Sequence, residues 1–258
     1  MIELIIIALA ALVCEWIDSS LGMGYGTILT PSLLLAGFSP LEIVPAVLIT
    51  QAFGGFSAAV FHHHQGNANF SFKSKSEDMK TVLAITSLGI VAVIVAAMIG
   101  TIISKTVLST YIGILVIIMG LLILLNFRFV YSTFKMVLVG IVSAFNKGLS
   151  GGGFGPLVTG GQIVLGKEHK SAIACTTAAE PLICIAGFIT YFLINGISSY
   201  GLIIALGIGS IIAGPLGAIT TKKISREKLR KIVGFLLVIL GTLNLLKLFG
   251  FISLNISM

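Results

Sequence analysis

Six long apolar runs recur along the chain, at 42–62, 81–103 and 106–126 and again at 170–194, 201–221 and 231–250. Each is about 20 residues or longer, enough for a helix to cross a ~30 Å hydrocarbon layer. Four shorter apolar limbs, 2–17, 25–38, 134–145 and 154–165, flank two glycine-rich breaks. Limbs of roughly 12 to 16 residues reach only ~18 to 24 Å. They predict re-entrant hairpins or broken helices with glycine apices at membrane depth. A transmembrane barrel would alternate over shorter segments, so the pattern predicts an all-α polytopic membrane protein.

The pattern also repeats. "GMGYGTILTP" at 22–31 is matched by "GGGFGPLVTG" at 151–160. Gly22, Gly24, Gly26, Thr30 and Gly37 recur as Gly151, Gly153, Gly155, Thr159 and Gly166, an offset of 129 (151 − 22), with Tyr25 opposite Phe154. Farther on the offset falls to 121, where Gly113 and Gly120 match Gly234 and Gly241 (234 − 113). The chain therefore divides into repeats 1–130 and 131–258, each a re-entrant or broken hairpin plus three transmembrane helices. A hairpin returns to its own side and three crossings follow, so the second repeat is expected to be inverted. Basic residues test this, because cytoplasmic loops carry the excess of lysine and arginine. If Lys222, Lys223, Arg226, Lys228, Arg230 and Lys231 lie inside, so do Lys73, Lys75, Lys80, Arg128, Lys135, Lys167 and Lys170. Only Lys105 and Lys247 then fall outside, and both termini face outward across a cell inner (plasma) membrane. The start, "MIELIIIALAALVCEWIDSS", carries Glu3 and no basic residue, unlike a signal peptide, and reads as part of the mature fold.

Composition sharpens the class. Hydrophobic residues make up 57% of the chain and charged residues 10%, and the mean hydropathy is +1.12. A soluble domain is about 25% charged, so lipid must be part of the solvent. The net charge of +7 then reports loop charge and orientation, not a nucleic-acid partner. Cys14, Cys175 and Cys184 lie in apolar stretches without metal spacing and read as core residues. No metal or cofactor is expected.

The chemistry concentrates in "FNKGLSGGGFGPLVTGG", 145–161, where Lys147 interrupts an apolar environment. An ionised lysine at membrane depth costs several kcal/mol unless partnered or wet. The second limb of each hairpin begins at a glycine cluster, so its N-terminus, with unpaired amides and a partial positive charge, lies at that depth. Two such ends meeting from opposite sides would bind an anion. The expected substrate-binding residues are Gly22, Gly24, Tyr25, Gly26 and Thr27 from one repeat. From the other they are Asn146, Lys147, Ser150, Gly151, Gly152, Gly153, Phe154 and Gly155. Ser19, Ser20, Thr30, Thr159, Thr176 and Thr177 lie near the same depth, although such hydroxyls usually bond their own or a neighbouring helix. Asp18 is the counterpart of Lys147 (147 − 129 = 18), so a structural Asp18–Lys147 pair is the competing reading. The two combine if substrate and carboxylate share the lysine in turn. Glu15, Asp18 and Glu180, the last opposite Gln51, are candidates for proton coupling, since burial disfavours an ionised carboxyl. Each reads equally as a hydrogen-bonded structural carboxyl.

Two other readings stay open. "GLSG", 148–151, fits the G-x-S-G pattern of intramembrane serine proteases, with Ser150 as nucleophile. Its base would have to come from His62, His63, His64 or His169, all near expected membrane surfaces. An anion channel or sensor on the same scaffold is the other. His62 to His64 read as an interfacial loop at the end of a span.

The paired signatures "GMGYGTILTPSLLLAG" and "GGGFGPLVTGG", with "GILVIIMGLLIL" and "GFLLVILGTLNLL" closing each half, resemble the sulfite exporter TauE/SafE family. The resemblance covers essentially the whole chain. It implies a permease for small sulfur-containing anions such as sulfite or organosulfonates, sometimes other organic acids. Such permeases often export and use the proton motive force. Tyr25 and Phe154 replace a glycine common in the signature, and Gly160 stands where the first half has Pro31. The partners this implies are a small anion, protons and the bilayer, with homodimerisation left open.

Overall fold

The computed structural model describes residues 2–71, 76–125, 133–221, 223 and 226–252, which form ten helices and no strand. In chain order these are α1 Ile2–Leu21, α2 Tyr25–Leu35, α3 Pro40–His64, α4 Glu77–Ile102 and α5 Lys105–Leu124. They continue as α6 Thr133–Ser150, α7 Gly155–Val164, α8 His169–Asn195, α9 Tyr200–Thr220 and α10 Arg226–Leu248. Seven are long and apolar enough to cross a membrane: α1, α3, α4, α5, α8, α9 and residues Glu227–Leu248 of α10. The protein is a multi-pass membrane protein. Side chains such as Val91, Ile102, Leu193, Ile204 and Phe235 point outward, as lipid-facing positions do. Serines set several starts: the hydroxyls of Ser76, Ser104 and Ser199 accept from the amides of Met79, Val107 and Leu202. Four basic residues used to orient the chain, Lys73, Lys75, Arg128 and Lys222, lie outside the described residues.

The six long spans fall where the apolar runs put them, but the limbs differ from expectation. α1 and α6 have 20 and 18 residues, ~30 and ~27 Å, whereas α2 and α7 have 11 and 10, ~16 and ~15 Å. Only the second limb of each hairpin is half-length. The polar residues that suggested an earlier end stay helical because they are satisfied internally. Ser19 donates to Glu15 Oε1 at 2.7 Å, and Ser150 donates to the Asn146 carbonyl at 2.8 Å. The helices stop at Gly22 (φ 73°) and Gly24 (φ 143°), and at Gly151 (φ 72°) and Gly153 (φ 80°). Those angles favour glycine.

The helices pack reciprocally. α1 runs alongside α9 in the same direction, with Gly209 against Ala8 and Leu12 and Gly217 against Trp16 and Ser19. α6 runs alongside α4 likewise, with Gly89 against Ala144 and Gly148 against Val93 and Ala96. α3 and α8 are antiparallel: Gly55 meets Pro181, and Gly187 meets Leu48. α5 and α10 are antiparallel too, Gly113 and Gly120 lying against the backbones of Gly241 and Gly234. The hairpin tips interlock. A methyl group on Gly26 would strike the Gly151 carbonyl, and one on Gly155 would strike the Gly22 carbonyl. Two further ties match at the 129-residue offset: His62 Nε2 donates to the Ser19 carbonyl at 3.0 Å, and the Tyr191 hydroxyl donates to the Gly148 carbonyl at 2.9 Å.

Candidate functional site

Four polar side chains converge where the hairpins meet. α6 brings Lys147 in its last turn, α8 brings Glu180 just before Pro181, α3 brings Gln51, and α1 brings Asp18. All are buried, Lys147 to 1% exposure in a cluster walled by apolar helices. Lys147 Nζ pairs with Glu180 Oε1 at 3.2 Å and donates to Gln51 Oε1. Gln51 Nε2 donates to Glu180 Oε2 at 3.2 Å and to Asp18 Oδ2 at 3.3 Å. Lys147 is therefore matched by a neighbouring carboxylate, and Asp18 hydrogen-bonds to the Gln51 amide and not to the lysine. The direct Asp18–Lys147 pair weighed from the sequence is replaced by Lys147–Glu180, because α8 lies closer to the lysine than α1 does.

Asp18 does something else. Its Oδ1 accepts from the Tyr25 amide at 3.1 Å, so a carboxylate of the protein caps the start of α2. The positive helix end expected to meet a substrate is here met from within. Glu15, the third acid, accepts from Ser19 on Oε1, while its Oε2 finds no partner among the described residues.

The other expected residues divide. Gly22, Gly26, Gly151, Gly152 and Gly155 form the tip-to-tip contacts. Gly24 supplies the bend before α2 and packs on Ile17, and Gly153 donates its amide to Thr27 Oγ1 at 3.2 Å. The Tyr25 hydroxyl bonds Thr50 at 2.8 Å, whereas Phe154 packs among Val93, Ala144, Val158 and Ile183. Asn146 accepts from the Tyr111 hydroxyl. Thr159 donates to the Gly22 carbonyl at 3.0 Å. Ser150 bonds the Asn146 carbonyl and accepts from the Gly152 amide at 3.1 Å. His62 to His64 are not an interfacial loop: α3 runs through His64, and His62 is buried between Ser19 and Asn67. Gln51 is the member that side-chain type did not single out. The signal that could have found it was its position opposite Glu180 (180 − 129 = 51). Among the described residues no group of histidine, cysteine and carboxylate side chains is arranged to hold a metal, and the three cysteines are free and buried.

Seven helices apolar enough to cross a membrane, two helix breaks in contact and a buried cluster of opposite charges beside them are features that fit a membrane permease. The sequence profile of the family described as sulfite exporter TauE/SafE matches residues 6–243, and the chain belongs to that family. It is similar to the "Probable membrane transporter protein YtnM" of Bacillus subtilis (strain 168), with 23% identity over 260 residues, 95% of this chain and 83% of the relative. No solved structure matches it. The protein is a membrane transporter and not an enzyme, which sets aside the protease reading of Ser150.

Proposed function

We propose that the protein is a secondary transporter, working as an exporter, of small sulfur-containing anions such as sulfite or organosulfonates. Its anion site is the Lys147 cluster, reached from either side in turn. The observation that carries this reading is a buried ammonium group, paired with Glu180 and Gln51, at the contact of two interrupted helix hairpins. The cluster is closed, as the occluded state of an alternating-access cycle would be.

Residues 1–130 and 131–258 are read as inverted repeats. The antiparallel α3/α8 and α5/α10 pairs support this, as do the reciprocal contacts of α1 with α9 and α6 with α4. Leu4, early in α1, lies by Gly201 at the start of α9, and the Leu35 carbonyl ending α2 accepts from Lys247 at the end of α10. The start of α9 and the end of α10 share one face, so the first hairpin enters and leaves there. Lys167, past α7, pairs with Asp78 at the start of α4, beside which α6 runs, so the second hairpin belongs to the other face. With the basic connections cytoplasmic, the termini face outward across the inner (plasma) membrane.

Proton coupling is part of the same proposal, and the contacts of Glu180 support it. An anion that takes Lys147 leaves Glu180 without its cation, and a carboxylate stripped of its cation in a dry interior is driven to take a proton, which then leaves with the anion; export is driven by the anion gradient and the inside-negative potential. Asp18 and Glu15 are further proton candidates. The test is flux of radiolabelled sulfite from proteoliposomes. Flux should saturate, should quicken when the side the anion leaves is acidified, and should vanish in Lys147→Ala. Normal flux by that variant would remove the lysine from the mechanism, and indifference to an imposed pH gradient would remove the coupling.

A further inference from the structure

The Glu180 carboxylate does not simply neutralise Lys147. Its two oxygens go to different donors: Oε1 to Lys147 Nζ at 3.2 Å and Oε2 to Gln51 Nε2 at 3.2 Å. The donors are themselves joined, since Lys147 also donates to Gln51 Oε1. One ammonium and one amide thus form a clamp for a group that carries two oxygens on a single atom. We infer that Glu180 fills the place of the transported ligand, and that an anion of the proposed class displaces it by presenting two oxygens of one centre to Lys147 and Gln51. This rests on the reading of Lys147 as the anion site. It assigns Gln51 as a direct substrate contact and the specificity determinant.

Three observations carry the assignment. The clamp is dry, with Lys147, Gln51 and Glu180 each at most 2% exposed, so an incoming anion must supply the hydrogen bonds that Glu180 gives up. Gln51 reaches all three charged groups yet carries no charge itself, and its NH2 offers hydrogen to an oxyanion. Its counterpart at the 129-residue offset is Glu180 itself, which offers only acceptors when ionised. The acid competes for the clamp while the amide forms it. A monatomic anion can take the lysine but cannot span to the amide. Discrimination is then about the worth of one hydrogen bond to a charged group, roughly tenfold or more.

The test uses wild-type proteoliposomes transporting radiolabelled sulfite, challenged with methanesulfonate, acetate, chloride or bromide. Methanesulfonate and acetate should inhibit at concentrations about tenfold lower than chloride or bromide. In Gln51→Leu that preference should disappear. In Glu180→Gln, which weakens the internal competitor, half-saturation for sulfite should fall while maximal flux drops. A merely structural role for Glu180 would not tighten sulfite binding. Equal inhibition by chloride and methanesulfonate in the wild type would overturn the clamp even if Gln51→Leu fails to fold. So would an unchanged preference in a monodisperse Gln51→Leu. Absence of saturable sulfite flux in the wild type would instead sink the transport reading on which the clamp rests.

Discussion

Replacing Lys147 by methionine keeps most of the side chain's volume and removes its charge. Glu180 then loses its cation and Gln51 its donor, both in the interior. Breaking one partner out of a buried ion pair costs about 3–5 kcal/mol, because the other charge is left uncompensated. Adding Glu180→Gln removes that stranded charge. The expected outcome is a lowered thermal midpoint and no sulfite flux for Lys147→Met, and recovery of the midpoint without recovery of flux for the double variant. Flux in the double variant would mean that the lysine serves folding only. Charge made this site readable in part. Lys147, Asp18 and Glu180 stand out because an ionisable group in an apolar run needs a reason. Gln51 carries no such cost, and pairing at the repeat offset was the only trace of it. Which acid holds the lysine was not readable at all, since that depends on the relative positions of α1 and α8.

At the level of helices, the sequence located the breaks but not the lengths of what they break. The apolar pattern of α1 ends before Asp18, yet the helix continues to Leu21 because Ser19 bonds back within it. Periodicity reports which residues face lipid or core, and a buried polar face escapes it. Of the glycines expected at the ligand, Gly22, Gly26, Gly151, Gly152 and Gly155 also form the contact between hairpins, which a linear pattern does not show. Gly26→Ala should decide their weight. Its methyl group would strike the Gly151 carbonyl, a backbone atom that cannot rotate away. Overpacking of this kind costs about 1–3 kcal/mol, and here it also separates the tips. Thermal unfolding should show the loss, with sulfite flux falling in parallel. Gly160→Ala, in α7 with open space around it, should be neutral or stabilising by up to about 1 kcal/mol, since alanine favours the helix. Equal destabilisation by both variants would show that the tip contact does not set the result, since helix propensity favours alanine at both positions.

Across the whole molecule, the proposed alternating-access cycle predicts that the two repeats oppose each other. α5 and α10 are the counterparts that make this measurable. They pack antiparallel through Gly113, Gly120, Gly234 and Gly241, so their starts lie on opposite faces. Lys105 opens α5 and Lys228 lies near the start of α10, and both are exposed. The native thiols of Cys14, Cys175 and Cys184 are buried and should give little background. Single Lys105→Cys and Lys228→Cys variants can therefore be probed with a membrane-impermeant maleimide on intact cells. The cysteine at 105 should label directly, and the one at 228 only after the membrane is permeabilised. Reversed labelling would keep the inverted pair but turn the protein over, placing the basic connections outside against the rule that orients most membrane proteins. Labelling of both from the same side would contradict the antiparallel pair. The two hairpins would then no longer approach Lys147 from opposite faces, and a symmetric exchange of access around it would lose its physical basis.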